Sequence, residues 1–156
     1  AVGRPLLSAE EDYRQAAEAL LEALPERAED RALVFMGHGT EHFANPAYCQ
    51  LEYLLHDLGR TDVLVGTVEG YPGFGEVLRR LSERPGVRRV VLAPLMIVAG
   101  DHAKNDLAGP EPDSWKSQLE ALGYETDCRL TGLGEYPGLR GIFVRHALEA
   151  AGDGPK

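Results

Sequence analysis

The sequence predicts an α/β domain, a parallel four-stranded sheet flanked by helices on both faces. Three observations lead there. Apolar segments such as "ALVFM" (32–36) and "VVLAPLMIVAG" (90–100) are unbroken, as in strands covered on both faces, rather than alternating. Stretches with helical spacing of apolar residues separate them. The connections are short and rich in Gly, Pro and Asn, so strand and helix alternate along the chain.

Each element follows in order. "GRPLLSAEEDYRQAAEALLEALPERAED" reads as a turn and a helix, with Ser8 and Glu11 as its capping box and Pro25 as its stop. Ala16, Ala17, Leu20, Leu21 and Leu24 give that helix one packing face. "ALVFMG" is the first strand, and "AYCQLEYLLHDLG" is a helix between Pro46 and Gly59. "DVLVGTVEG" and "GFGEVLRRLSERPG" repeat the unit. "VRRVVLAPLMIVAG" is predicted to be the longest strand, followed by a polar loop, "DHAKNDLAGPEPD", and the helix "SWKSQLEALG". "YETDCRLTGLGE" is a more amphipathic strand expected at an edge, and "GLRGIFVRHALEAAG" closes the fold. Residues 1–30 are thus a leading turn and helix packed on the domain, 31–152 the domain proper, and 153–156 a tail.

At 156 residues and 44% hydrophobic content, the chain is long enough for one domain with its own core. A net charge of −9 argues against nucleic-acid binding, and an anionic substrate would need a local basic pocket. No apolar run reaches the roughly 18 residues that mark a membrane span, and no signal-peptide pattern opens the chain. The first residue is Ala1 rather than Met, which leaves room for a removed leader or preceding segment. Cys49 and Cys128 lie far apart without a CxxC pattern and read as buried thiols, so they do not fix the compartment.

In a parallel sheet the carboxyl ends of the strands share one edge, and ligands bind in the crevice beyond it. Strand one runs into Gly37-His38, strand two into Glu69-Gly70, and strand three into Gly100-Asp101-His102. Two imidazoles and a carboxylate are therefore delivered to one rim. The neighbouring glycines are expected to leave space for a bulky ligand near the backbone. His38, Glu69 and His102 suit a borderline divalent metal such as cobalt, nickel, iron or zinc, and three protein ligands leave positions open to a substrate. Taken singly, each residue has an ordinary alternative: a turn histidine, a carboxylate at a helix start, a capping histidine. It is their joint placement that suggests a site. His42 is expected to support the site or lie on the surface, and His56 and His146, within helices, to be structural. Asp101 and Lys104 are in position to orient His102 or to be solvated loop charges. There is no GxxxxGK[ST] for nucleotide-driven work and no GxSxG elbow.

The segments "LVFMGHGTEHFANPAYCQLE", "GTVEGYPGF" and "LAPLMIVAGDHAKNDLAG" resemble the anaerobic-pathway cobalt chelatases of cobalamin biosynthesis (sirohydrochlorin cobaltochelatases), in the class II chelatase superfamily. The likeness extends over nearly the whole chain and is most specific in GHGTEH and GDHAKND. It implies one half of a bilobal fold, the carboxy-terminal half, with the metal residues at His38, Glu69 and His102 serving catalysis as well. It also implies ATP-independent insertion of Co2+, the substrate metal, into sirohydrochlorin or its oxidation-state relative. Iron or nickel insertion into a related tetrapyrrole is an alternative, as is a non-catalytic metal-binding half-domain. Family members of this type hold the tetrapyrrole between two α/β halves, so the implied partner is an amino-terminal half or a second copy of the chain, as a homo-oligomer. Nucleic acid and a membrane span are not expected. The expected compartment is the cytoplasm, with the periplasm as the alternative if a leader has been removed.

Overall fold

Four strands, β1 (Arg31–Gly39), β2 (Val63–Glu69), β3 (Arg89–Pro94) and β4 (Glu125–Cys128), form one sheet in the order β2-β1-β3-β4. All three pairings are parallel. The computed structural model describes residues 2–152, so the tail assigned to 153–156 lies outside the described residues. The described chain divides into two compact units, one within Ala1–Pro25 and Leu133–Lys156, the other Glu26–Gly132.

The second unit holds the sheet and α2 (Ala47–Asp57), α3 (Phe74–Ser82), a π-helix (His102–Leu107) and α4 (Trp115–Ala121). Alternation along β1 sends Ala32, Val34 and Met36 to one face, where Leu64, Val90 and Leu92 meet Val77 and Leu81 of α3, Leu107 of the π-helix, and Trp115 and Leu119 of α4. Phe74 stacks on the Trp115 indole with centroids 4.5 Å apart. Gly66 leaves room for this packing, since a Cβ there would stand 2.7 Å from Val77 and 2.9 Å from Trp115. Gly37 faces the other way, and there the Tyr48 ring of α2 lies against it. Helices thus cover both faces, as expected. Glu52 of α2, itself buried, accepts a hydrogen bond from the Val65 amide (2.7 Å) and pairs with Arg80 of α3, tying two helices to β2.

The structure corrects several local expectations. β1, with nine residues, is the longest strand, whereas β3 stops after six, at Pro94. Proline has no N–H to donate to the ladder. Leu95 makes a last bond to the Met36 carbonyl (2.7 Å), and the chain then leaves the sheet with Ile97 and Val98 exposed. The loop after β3 is not irregular throughout, because His102–Leu107 coil into a π-helix that the Ala108 N–H closes on the Ala103 carbonyl. β4 lies at an edge, as predicted, but holds only four residues of the longer strand expected there. Neither cysteine is fully buried: Cys49 is exposed, Cys128 is half-buried, and both are free thiols.

The first unit contains α1 (Glu10–Ala23), a 3-10 turn (Leu133–Glu135) and α5 (Pro137–Ala151). The predicted helix start is one residue out of phase. Asp12, not Glu11, turns back to accept from the Ala9 and Ser8 amides (2.8 and 3.1 Å), while Glu11 accepts from Gln15. Asp12 is also where α1 and α5 join: its carboxylate meets Arg145 at 2.6 Å and His146 at 2.8 Å. Burial pushes the Asp12 carboxyl upward, but bonds from Arg145, His146, Ser8 and Ala9 outweigh it and bring the pKa down to about 2.

Candidate metal centre

The residues expected at the carboxyl edge all lie there. His38 is the penultimate residue of β1, Glu69 ends β2, and His102 begins the π-helix that follows β3. Register explains their proximity. Gly39 pairs with Glu69 across β1 and β2, and β3 flanks β1 on the other side. The His38 and His102 rings meet edge to face, with centroids 4.9 Å apart and planes at 88°. His38 Nδ1 lies 4.0 Å from a Glu69 carboxylate oxygen.

Each ring is held by the same nitrogen. His38 Nδ1 is 3.0 Å from the Gly39 carbonyl, an acceptor only, so Nδ1 carries the proton and Nε2 has a free lone pair. His102 Nδ1 is bonded to the Asp106 carboxylate, one turn further along the π-helix. Both imidazoles therefore present Nε2 as the nitrogen available to an ion. Glu69 stands on the Nδ1 side of His38 and its side chain is largely exposed, so it is free to change rotamer. Among the described residues, no three His, Cys, Asp or Glu side chains are already arranged to hold a metal ion.

The glycines here serve the protein's own packing rather than a ligand. A Cβ on Gly37 would enter the Tyr48 ring, and one on Gly39, where φ is +79°, would fall 1.5 Å from the Glu69 carbonyl oxygen. Gly100 alone of the rim glycines expected to admit a ligand has open space beside it. Asn45, which the sequence reading did not single out, braces two loops of the edge. Its carbonyl oxygen accepts from Thr40 N (3.0 Å) and its amide donates to Tyr71 O (2.6 Å).

The remaining candidates separate clearly. His42 is exposed, its Nδ1 accepts from Ala44 N, and its ring lies on Phe43. His56 is bonded to the Val63 carbonyl and His146 is buried against Asp12, both in supporting roles. Asp101 precedes the π-helix without a capping bond, and Lys104 has no ion-pair partner among the described residues. Arginines gather elsewhere. A cavity of about 380 Å³ lined by Arg27, Arg31 and Arg84, with Glu29 and Asp62, opens at the amino end of the strands.

A family model described as cobalt chelatase (CbiK) matches residues 1–152. The chain belongs to the cobalt chelatase (CbiK) family. It is 42% identical over 149 residues to a sirohydrochlorin cobaltochelatase of Salmonella typhimurium strain LT2, covering 96% of this chain and 56% of that protein. It is 43% identical over 152 residues to the sirohydrochlorin cobaltochelatase CbiKC of Nitratidesulfovibrio vulgaris strain Hildenborough, covering 96% and 52%. This family member therefore spans about half the length of the curated relatives it matches. Its fold is also that of a cobalamin (vitamin B12) biosynthesis CbiX protein of Marinobacter aquaeolei VT8, with a TM-score of 0.51 at 19% identity over 78% of this chain and 96% of that one. No helix among the described residues of this cobalt chelatase family member is long and apolar enough to cross a membrane.

Proposed function

We propose that this chain inserts cobalt(II) into sirohydrochlorin without nucleotide hydrolysis, and that His38, Glu69 and His102 handle the metal. The observation that carries the reading is the edge-to-face meeting of His38 and His102 beside Glu69, at the carboxyl edge of the sheet. The relatives' names supply the metal and the tetrapyrrole.

Insertion exchanges one dication for two pyrrole N–H protons, with no change of oxidation state. The ion must lose water, be held briefly, and then pass to the ring nitrogens. The Nε2 atoms of His38 and His102 bind it, and Glu69 swings in to offset its charge. An open set of three ligands releases an ion more readily than a closed set of four. As metal–nitrogen bonds to the ring form, His38 lets the ion go and its Nε2 takes one pyrrole proton while Glu69 takes the other, and both protons pass to solvent, with which the two side chains are in contact. Phe43, Tyr71 and Val98, which are 87%, 68% and 71% exposed, offer apolar surface at the same edge for a flat ring. The reading includes a second wall for the tetrapyrrole, from another copy of the chain or an amino-terminal half, and a cytoplasmic setting in which a biosynthetic insertion takes place.

The test is to mix chain, Co2+ and sirohydrochlorin without nucleotide and follow ring absorbance. Protein-dependent insertion that is lost on His38→Ala is expected. Insertion no faster than in protein-free buffer, at concentrations where the chain self-associates, would overturn the reading.

A further inference from the structure

We propose that Asp106 is the positioning residue for His102: it holds the Nδ1–H of the ring and so turns Nε2 toward the incoming cation. The inference rests on the metal reading above and adds a residue to it. Asp106 lies outside the predicted ligand set, yet its carboxylate is bonded to His102 Nδ1 within a six-residue π-helix.

The pair has little to do for stability. Both side chains are about half exposed, and an exposed pair at this spacing adds little to stability. Its geometric effect is larger. A histidine that binds metal through one nitrogen needs the other fixed, because the hydrogen bond at the second nitrogen sets both tautomer and ring orientation. His38 meets this need with the Gly39 carbonyl at 3.0 Å, and His102 meets it with Asp106. The two rings, facing edge to face, are anchored in the same sense. A carboxylate is the stronger acceptor and raises the basicity of the opposite nitrogen more than a carbonyl does. His102 is thereby the firmer ligand of the two, and His38 the one better able to let the ion go. The local backbone suits this division. The π-helix places His102 at its first position, and Gly109 makes the helix end possible, because a Cβ there would stand 2.3 Å from the Asn105 carbonyl oxygen. No other carboxylate is bonded to the His102 ring among the described residues.

The experiment titrates Co2+ into the full chain and reads the cobalt visible absorption bands, with melting curves and circular dichroism as controls on folding. Asp106→Ala is expected to weaken cobalt binding roughly 10- to 100-fold and to alter the bands, with melting unchanged. Asp106→Asn, whose amide oxygen still accepts from Nδ1–H, should recover much of the loss, which a merely structural role does not predict. The double variant Asp106→Ala with His102→Ala should bind no more weakly than His102→Ala alone. If His102→Ala weakens binding while Asp106→Ala binds like the parent, the positioning role is refuted and the metal reading stands. If His102→Ala itself binds cobalt like the parent, the metal reading fails and takes this proposal with it.

Discussion

His38 and His102 come from different βα units, yet their rings stand 4.9 Å apart, edge to face. The strand order produces this. β1 lies between β2 and β3, so the residue near its carboxyl end has Glu69 on one side and the segment after β3 on the other. A central strand ending in histidine can engage both neighbours at once, which an edge strand cannot. His38 is accordingly the side chain on which the proposed chemistry depends most.

Replacing His38 by alanine should lower cobalt insertion by at least about 100-fold, the scale of losing a positioned base, with ligation adding to it. Stability should change by no more than about 0.5 kcal/mol, because the side chain is half exposed and outside the core. Insertion rates and melting curves on the same preparation check both halves. Near-parental activity would remove His38 from the mechanism.

Gly39→Ala should do the reverse and damage the fold first. At φ +79° a side chain is strained, and the added Cβ would fall 1.5 Å from the Glu69 carbonyl oxygen, a backbone atom held by the β1–β2 ladder. A loss of about 1–3 kcal/mol is expected from the backbone strain alone, with a fall in cobalt affinity as β1 and β2 part at the site. Urea unfolding at matched metal concentration measures it, and a variant as stable as the parent would show that the edge can yield.

Much of this architecture is legible in the sequence, and the reasons are local. "ALVFM" has no polar interruption, so only a strand covered on both faces accommodates it, and counting from its end places His38 at the rim. What escaped depended on tertiary context. Pro94 sits inside an apolar run, and composition does not reveal that the run beyond it leaves the sheet and exposes Ile97 and Val98. "HAKNDL" has too few apolar residues to show a helical period, so its π-helix reads as loop. Ser8–Glu11 and Ala9–Asp12 have the same spacing, and which pair caps α1 is decided by Arg145 and His146, which recruit Asp12. Asp106 did leave a signal, the His-x-x-x-Asp interval from His102, whereas Asn45 acts through loop carbonyls and amides that no spacing rule anticipates.

The α1–α5 unit should be acid-sensitive through Asp12. Its carboxyl titrates at about 2 in the folded chain against an ordinary value of 3.8, so its contribution is fully present above pH 3.8 and disappears as the pH falls through 2. Asp12→Asn should melt lower than the parent at pH 5, since Arg145 and His146 then face a neutral amide. The gap between variant and parent should narrow between pH 4 and pH 2. Melting curves that run parallel across that window would show that Asp12 does not carry the dependence.

The proposed second wall leads to a kinetic prediction. A tetrapyrrole is broad and flat, and small-molecule sites bury most of a ligand's surface in a concave cleft. In the proposed arrangement the carboxyl edge of this sheet is one wall of that cleft, with His38 and Glu69 exposed at the rim and Phe43, Tyr71 and Val98 exposed beside them. On the two-wall proposal, a single copy has the metal-handling side chains but lacks the enclosure that would exclude water and hold the ring over the ion. Cobalt affinity should therefore be independent of chain concentration, while insertion per chain rises with concentration as sedimentation reports self-association. Adding a separately prepared amino-terminal half should raise the rate at low concentration, without contributing a new metal ligand. Full insertion activity from a chain that sediments as a monomer would refute the two-wall arrangement and assign the whole reaction to one face of one sheet.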